Sequence, residues 1–260
     1  DGAIRWLQER TWLVRDPDGH PLRFDGVATD ITAYKADQAL LVERARFATL
    51  RAQISLLLTQ SNVLPFILQQ CAEVIVQHLD AAFVRVWTYN ATTQLLELQA
   101  SAGLYTHLDG AHSRIALGQY KIGRIAEQRQ ALLLNDIATD PQISDQAWAQ
   151  REGMVAFAGY PLLIDDTVVG VIAAFARQEW SPFVLEDLAF TAGGLAQLIK
   201  RKQTELILQN FFRLSLDLLC IASIDGYFEY MNPAFEEMLG FSVAELLAIP
   251  LIELVQSMSC

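Results

Sequence analysis

Cysteines, long apolar runs and clusters of basic residues are scarce or absent in this sequence of 260 residues. Its three cysteines are widely spaced, which argues against a disulfide framework and against a cysteine zinc site. The longest apolar run, Val168 to Ala176 with Gly170 inside it, has about nine residues, whereas a membrane helix needs roughly 20. There is no basic cluster, and the net charge is −11 (19 Lys+Arg against 30 Asp+Glu), so nucleic-acid binding is disfavoured.

Apolar residues, by contrast, are plentiful. With 52% hydrophobic and 19% charged residues the chain can build a core, and disorder as a class is excluded. The length predicts one or two domains, perhaps with pieces of others. No signal peptide opens the sequence, so we expect a cytoplasmic protein with no membrane segment in this part. Because both ends fall within patterned segments, we also expect a fragment of a longer chain.

The first 31 residues have the pattern of a β-hairpin. Residues 4–15 alternate between apolar and polar, a turn follows at Asp16-Pro17-Asp18-Gly19, and a second strand covers 22–31. Asp30-Ile31-Thr32 then ends the strand and begins a helix, where Asp30 or Thr32 can cap the first-turn amides.

The helix predicted over 33–60 carries a narrow apolar seam with one defect at Glu43. Seam residues recur in a seven-residue repeat, which is typical of a coiled coil rather than of a broad core-facing stripe; they are Leu40, Phe47, Leu50, Ile54 and Leu57. Since a monomer would leave this seam in water, we expect a homodimer through helices 33–60 and 185–212. Close helix approach at that contact would explain Gly193-Gly194 inside the second helix.

The middle of the chain mixes helices with hairpins, which predicts an α+β fold with an antiparallel sheet and flanking helices. Ser61-Asn62 and Ser181-Pro182 are helix-start signals. The predicted helices are 64–79, 122–128, 143–151 and 181–212, and the predicted strands are 83–89, 95–101, 131–134, 155–164 and 168–176. After residue 213 the pattern is strand, turn at Asp225-Gly226, strand and two short helices, the second capped by Ser242.

Each segment resembles a known family. Residues 1–34 resemble the C-terminal strands of a PAS domain, a part called PAC. The matching stretch is DGAIRWLQERTWLVRDPDGHPLRFDGVATDIT. Residues 48–200 resemble a GAF domain through IGRIAEQRQALLLNDIATDP, GYPLLIDDTVVGVIAAF and SPFVLEDLAFTAGGLAQLI. Residues 213–260 resemble the N-terminal half of a second, truncated PAS domain through IDGYFEYMNPAFEEMLGFSVAELL. Residues 35–60 would be a signalling helix and 201–212 a connecting helix.

The resemblance implies the sensory part of a bacterial signalling protein, most often a sensor histidine kinase. Its GAF domain would bind an unidentified small ligand and relay a signal through dimeric helices to an absent output domain, with Asp30 and Thr32 at the signal junction. The alternatives are a ligand-free dimerisation spacer and the sensory part of a diguanylate cyclase. No stretch resembles a phosphoacceptor helix or an ATP-binding region, so no catalytic residue is predicted and the chain is not expected to be an enzyme.

Known GAF cofactors fit the sequence poorly. Cyclic-nucleotide-binding members carry an Asn-Lys…Phe…Asp-Glu pattern, but Asn135 is followed by Asp136. A covalent bilin needs a cysteine near residues 144–147, and none stands there. GAF-type methionine sulfoxide reductases need pocket cysteines, and the three cysteines here are elsewhere.

A pocket, if open, would lie between the sheet and the helices at 122–128 and 143–151. The residues expected near it are Tyr120, Ile125, Trp148, Phe157 and Tyr160, with a filled core as the alternative. No metal site is predicted, since His107, Asp109 and His112 match no known zinc spacing.

Overall fold

The structure is a computed structural model that describes residues 4–60, 63–140, 143 and 145–250. Its contacts divide the chain into two compact units, Asp1–Leu195 and Ala196–Cys260, which are described separately. No helix in the described part of the chain is long and apolar enough to cross a bilayer.

The first unit opens with the expected hairpin. Strands β1 (Leu7–Arg15) and β2 (Pro21–Asp30) pair antiparallel, with Leu7 opposite Asp30. At the turn, the Asp16 carboxylate accepts hydrogen bonds from the amides of Asp18 (3.0 Å) and His20 (2.8 Å). Gly19 has φ +87°, a conformation that glycine adopts without strain.

Helix α1 (Thr32–Leu58) begins at a hydrogen-bonded junction with the hairpin. Asp30 Oδ1 accepts from the Thr32 amide at 2.9 Å, and Thr32 Oγ1 accepts from the Trp6 amide at 2.9 Å. Hydrogen bonds from the Thr32 side chain and then its backbone lower the pKa of Asp30 from its usual value. These bonds couple the start of α1 to both strands.

The apolar seam of α1 is partly covered within the single chain. Leu50 and Ile54 are fully buried, and Phe47 and Leu57 are half-buried. Glu43, which interrupts the apolar seam, has a hydrogen-bond partner: its carboxylate accepts from the Ser181 hydroxyl at 2.6 Å. A single chain thus buries Leu50 and Ile54 and leaves the rest of the seam partly exposed, and the homodimer stays a prediction.

After α2 (Leu64–Leu79) comes a six-stranded antiparallel sheet, which confirms the predicted α+β fold. The strands lie in the order β5-β4-β3-β8-β7-β6. Their bounds are β3 (Phe83–Asn90), β4 (Leu95–Gly103), β5 (Arg114–Ala116), β6 (Leu132–Leu134), β7 (Ala156–Ile164) and β8 (Thr167–Ala176). Strand β5 was not among the predicted strands, since three residues are too few to show an alternating pattern.

The two faces of the sheet are covered differently. Helix α2 packs on β3 and β4, while α3 (Tyr120–Gln128) packs on β7 and β8 from the opposite face. A shorter helix, α4 (Gln146–Arg151), begins three residues later than predicted. The unit closes with the first part of α5 (Phe183–Leu214), whose Gly194 lies against Leu58 of α1. The close approach at Gly194 is therefore made within one chain.

The second unit contains the rest of α5, the hairpin β9 (Cys220–Ala222) and β10 (Phe228–Met231), and the helices α6 (Ala234–Leu239) and α7 (Val243–Leu247). The buried Asn232 amide donates to the carbonyls of Ser215 (3.1 Å) and Asp217 (2.9 Å). Ser242 and Glu245 form a capping box at the start of α7, as the sequence predicted for Ser242.

Candidate functional site

A cavity of about 320 Å³ lies on the α3 face of the sheet, a volume at the lower end of the range for small-molecule sites. Strands β3 and β8 form its floor, while the 104–113 loop, α3 and the start of α4 form its walls. The lining residues are Phe83, Arg85, Trp87, Tyr105, His107, Asp109, Gly110, Ala111, His112, Ile122, Ile143, Asp145, Trp148 and Phe175.

Aromatic rings make up most of the cavity wall. Phe83 stacks on Phe175 with ring centroids 4.5 Å apart, and Trp148 meets both rings edge-on at 5.9 and 5.6 Å. The Trp148 indole donates to the Tyr105 hydroxyl at 2.9 Å, joining α4 to the 104–113 loop. Such rings present flat apolar surface to a ligand at low entropic cost.

Two polar contacts lie near Trp148: a cap at the start of α4 and a charge pair between Lys121 and Asp140. Asp145 caps α4 by accepting from the Trp148 amide at 2.8 Å. The ammonium of Lys121 on α3 lies 2.6 Å from the Asp140 carboxylate, and both side chains are largely buried. A charge pair of this kind is costly to break, so it ties Asp140 to α3.

Arg85 brings a positive charge to this apolar floor. Its Nε donates to Ser101 Oγ at 3.2 Å, and its guanidinium carbon lies 5.6 Å from the Phe83 ring centroid and 5.8 Å from that of Tyr105. Burial lowers the pKa of Arg85, and the Tyr105 phenol partly offsets this effect. An arginine nevertheless stays charged in proteins.

His112 is the second polar group of the inner cavity. Burial and then the positive charge of Arg85 lower the pKa of His112 from its usual 6.5, which favours the neutral imidazole at neutral pH. Its ring lies 5.0 Å from that of Tyr120, and its backbone carbonyl accepts from the Trp87 indole at 2.9 Å. The floor of the sheet thus holds the loop that bears His112.

The five residues expected near the pocket are placed differently from one another. Trp148 lines the cavity. Tyr120, Ile125 and Phe157 belong to the hydrophobic cluster around it without lining it. Tyr160 is opposite Ile172 on β8 and so shares the α2 face, because cross-strand partners project to the same side of a sheet. The expectation that Tyr160 lies near the cavity is therefore corrected.

Sequence reasoning missed Arg85, Tyr105 and His112 as cavity residues. A signal for Arg85 was present: in a strand, Phe83, Arg85 and Trp87 share one face, so the arginine interrupts an otherwise apolar stripe. Nothing in the sequence shows which way the 104–113 loop folds, so Tyr105 and His112 had no comparable signal.

Candidate reactive and metal-binding groups are also located. Cys71 is buried on α2, away from the cavity, and burial raises the pKa of its thiol to about 12. Cys220 is exposed in β9, and Cys260 lies outside the described residues. His107, Asp109 and His112 all line the cavity, yet no group of three or more His, Cys, Asp or Glu in the described part of the chain could hold a metal ion.

An antiparallel six-stranded sheet with helices on both faces and an aromatic cavity under a loop make up an α+β domain. A family model described as the GAF domain matches residues 64–199. The chain belongs to the GAF domain family. A second family model, described as a PAS domain, matches residues 206–257, so GAF and PAS sensory domains occur together and indicate a signalling module.

Solved structures show the same fold at low identity. The GAF domain of a phosphoenolpyruvate-protein phosphotransferase from Coxiella burnetii has TM-score 0.55 and 18% identity, covering 63% of this chain and 98% of that chain. Its Acinetobacter counterpart has TM-score 0.54 and 16% identity, covering 62% and 97%. The free methionine-R-sulfoxide reductase from Neisseria meningitidis, solved with its substrate, has TM-score 0.50 and 15% identity, covering 63% and 91%. No curated protein matches the chain.

Proposed function

We propose that this chain is the sensory region of a signal-transduction protein, and that its GAF cavity binds a small molecule. The observation that carries the proposal is the cavity itself, about 320 Å³ with aromatic walls and a half-buried arginine on its floor. A few convergent polar groups in an apolar cleft are typical of a ligand site. A ligand-free spacer would be expected to fill this space with side chains.

Binding would be relayed through helices. Within the first unit, Arg51 Nε of α1 lies 2.6 Å from Asp187 Oδ1 of α5, and Glu43 accepts from Ser181. Helix α1 follows directly from the hairpin, and α5 continues into the segment matched by the PAS model. A ligand with different affinity for two packings of these helices would shift their populations.

The relay is proposed to operate in a homodimer through helices 33–60 and 185–212. In the second unit, the C-terminal part of α5 exposes several large apolar side chains, of which Ile207, Phe211 and Leu214 form a row on one face at i, i+4 and i+7; Leu206 and Leu208 lie to either side of it. Such a row is typical of a helix-to-helix contact. Sedimentation velocity of the full chain at high micromolar concentration is expected to give a dimer, and a monomer would contradict this part of the proposal.

The output is proposed to be a histidine kinase in a two-component phosphorelay. The joint occurrence of GAF and PAS domains supports this proposal. The cell compartment is proposed to be the cytoplasm.

The chain itself is proposed to lack catalysis. In support, the cavity wall contains no cysteine among the described residues, and the Cys71 thiol is buried with a raised pKa. Ellman's reagent with peptide mapping should label Cys220 in the native protein and Cys71 only after unfolding.

Native mass spectrometry of the protein purified from cells, with an absorbance scan of the same sample, tests the ligand proposal. We expect a non-covalent adduct that is lost on denaturation. The variant Ile122→Trp adds bulk at a residue that lines the cavity and should abolish the adduct. A clean apo mass for both proteins, across purifications at low and high protein concentration, would favour the filled spacer.

A further inference from the structure

The floor of the cavity contains the charge of Arg85, which forms no ion pair with a carboxylate in the described part of the chain. Arg85 is flanked along β3 by Val84 and Val86, and its face of the strand also carries Phe83 and Trp87. Placing a cation in such surroundings costs free energy unless an anion or several acceptors compensate. The partners of Arg85 therefore decide what this side chain does.

Its partners within the described part of the chain are one hydroxyl and two rings. Nε donates to Ser101 Oγ, and the guanidinium lies against Phe83 and Tyr105. No carboxylate forms an ion pair with Arg85 in that part of the chain, and no acceptor there takes a hydrogen bond from either terminal nitrogen. The two terminal nitrogens of the Arg85 guanidinium are thus available to a ligand.

The Ser101 contact is rigid and fixes the orientation of the guanidinium. Ser101 is fully buried, its amide donates to Gln69 Oε1 at 3.1 Å, and its carbonyl accepts from Gln69 Nε2 at 3.1 Å. Its hydroxyl donates to the Tyr105 carbonyl at 2.7 Å, which leaves a lone pair for Arg85. A guanidinium held by one edge presents its other donors in a plane that matches a carboxylate.

The remaining groups of the cavity limit the charge and shape of the partner. Asp109 and Asp145 add negative charge at the rim, so a ligand with more than one negative charge is disfavoured. Phe83, Trp148 and Phe175 line the same space and pack against one another, so apolar ring surface borders it. A single cation among stacked rings therefore fits a monoanion with a flat, apolar body.

We propose that this cavity binds a small aromatic monocarboxylate, with the carboxylate paired to the terminal nitrogens of Arg85 and the ring packed among Phe83, Trp148 and Phe175. The inference rests on the proposed function of the cavity as a ligand site. It adds the chemical class of the ligand and the residue that selects it.

Titration calorimetry of the full chain with paired probes tests the proposal. The acids are 4-hydroxybenzoate and indole-3-acetate, and each has a neutral partner of the same shape, 4-hydroxybenzamide and indole-3-acetamide. Cyclic AMP, a monoanion that carries phosphate, is a further probe. We expect the acids to bind at least about tenfold more tightly than their amides, the range for one hydrogen-bonded charge.

Two variants assign the selectivity to Arg85. Arg85→Gln should weaken the binding of both acids by at least about tenfold and leave the amides nearly unchanged. Arg85→Met keeps the packing of the side chain and should leave the ligand-free melting temperature unchanged or raised, because an uncompensated charge is removed. Arg114→Gln makes the same charge change at an exposed position of β5 and should bind like the wild type.

The outcomes separate this inference from the proposed function. If the amides bind as tightly as the acids, or if cyclic AMP binds more tightly than either acid, the cavity is still a ligand site but the carboxylate assignment is wrong. If Arg85→Met melts well below the wild type and Arg85→Gln binds the acids normally, Arg85 is a structural residue. If no probe binds at 10 mM, about the weakest affinity of interest, the carboxylate inference is contradicted. The proposed function is then decided by the native mass spectrum of the protein purified from cells, which does not depend on these probes.

Discussion

At the scale of single residues, the charged side chains that matter most are those that the fold removes from water. Lys121 and Asp187 lie in helices that also carry exposed polar residues, so a charge there is unremarkable in the sequence, yet both side chains are buried. Arg85, by contrast, interrupts an apolar stripe of β3 and is half-buried. Local signals such as the turn at Asp16 to Gly19 could be predicted, because the responsible residues are neighbours. Long-range partners such as Gln69 and Ser101 could not, because they are 32 positions apart.

Asp187 is expected to make stability depend on pH. Its side chain is 1% exposed and pairs with Arg51, but burial outweighs the arginine and raises the pKa of Asp187 above its usual 3.8. The folded state therefore holds this proton more tightly than the unfolded state. The free energy of unfolding of the wild type, relative to Asp187→Asn, should fall as pH rises from about 3.8 through the raised pKa, and then stay constant.

Urea unfolding of both proteins between pH 4 and pH 8 measures this difference. The exposed neighbour Glu186 supplies the control, Glu186→Gln, which removes one negative charge from the same turn. A relative stability that rises with pH would mean that the Arg51 pair, rather than burial, dominates at Asp187.

At the scale of elements, helix type and extent followed from sequence pattern, while helix partners did not. The seven-residue seam of α1 was correctly placed on one face, but its heptad spacing was interpreted as a contact with a second chain. Spacing alone cannot distinguish a helix that packs on its own domain from one that packs on a copy, since both need an apolar stripe.

Substitutions in the seam distinguish these cases. Leu50→Ala removes a fully buried side chain and should lower the free energy of unfolding by about 2–5 kcal/mol, without changing the oligomeric state. Leu56→Ala, at an exposed position of the same helix, should change it by less than about 0.5 kcal/mol. Chemical denaturation and sedimentation velocity measure the two effects. A Leu50 variant that dissociates a dimer while keeping its stability would place the seam itself, rather than other residues of α1, in the contact between chains.

The adjacent glycines of α5 offer a matched pair. A Cβ at Gly193 meets nothing within 4 Å, so Gly193→Ala should stabilise the helix by about 1 kcal/mol. A Cβ at Gly194 would clash with Leu58 Cδ1, so Gly194→Ala should lose most or all of that gain as Leu58 moves. Thermal unfolding of the two variants is the measurement. Equal stabilisation by both would show that α1 and α5 do not approach closely at Gly194.

At the scale of the whole molecule, the antiparallel sheet with flanking helices and the GAF family were within reach of the sequence, because strands, turns and helices each carry local patterns in a familiar order. The cavity was only partly within reach. Its floor follows strand alternation, but its roof depends on how the 104–113 loop closes over that floor, through contacts such as Trp148 to Tyr105.

The central claim is that a molecule in the cavity is sensed by the helices that leave the domain. Hydrogen–deuterium exchange of the full chain, with and without saturating 4-hydroxybenzoate, tests it most directly. The account predicts slower exchange in β3 and the 104–113 loop, together with altered exchange in α1 and α5. Protection confined to the cavity would contradict the relay, and unchanged exchange throughout the chain would contradict the binding of an aromatic monocarboxylate in this cavity.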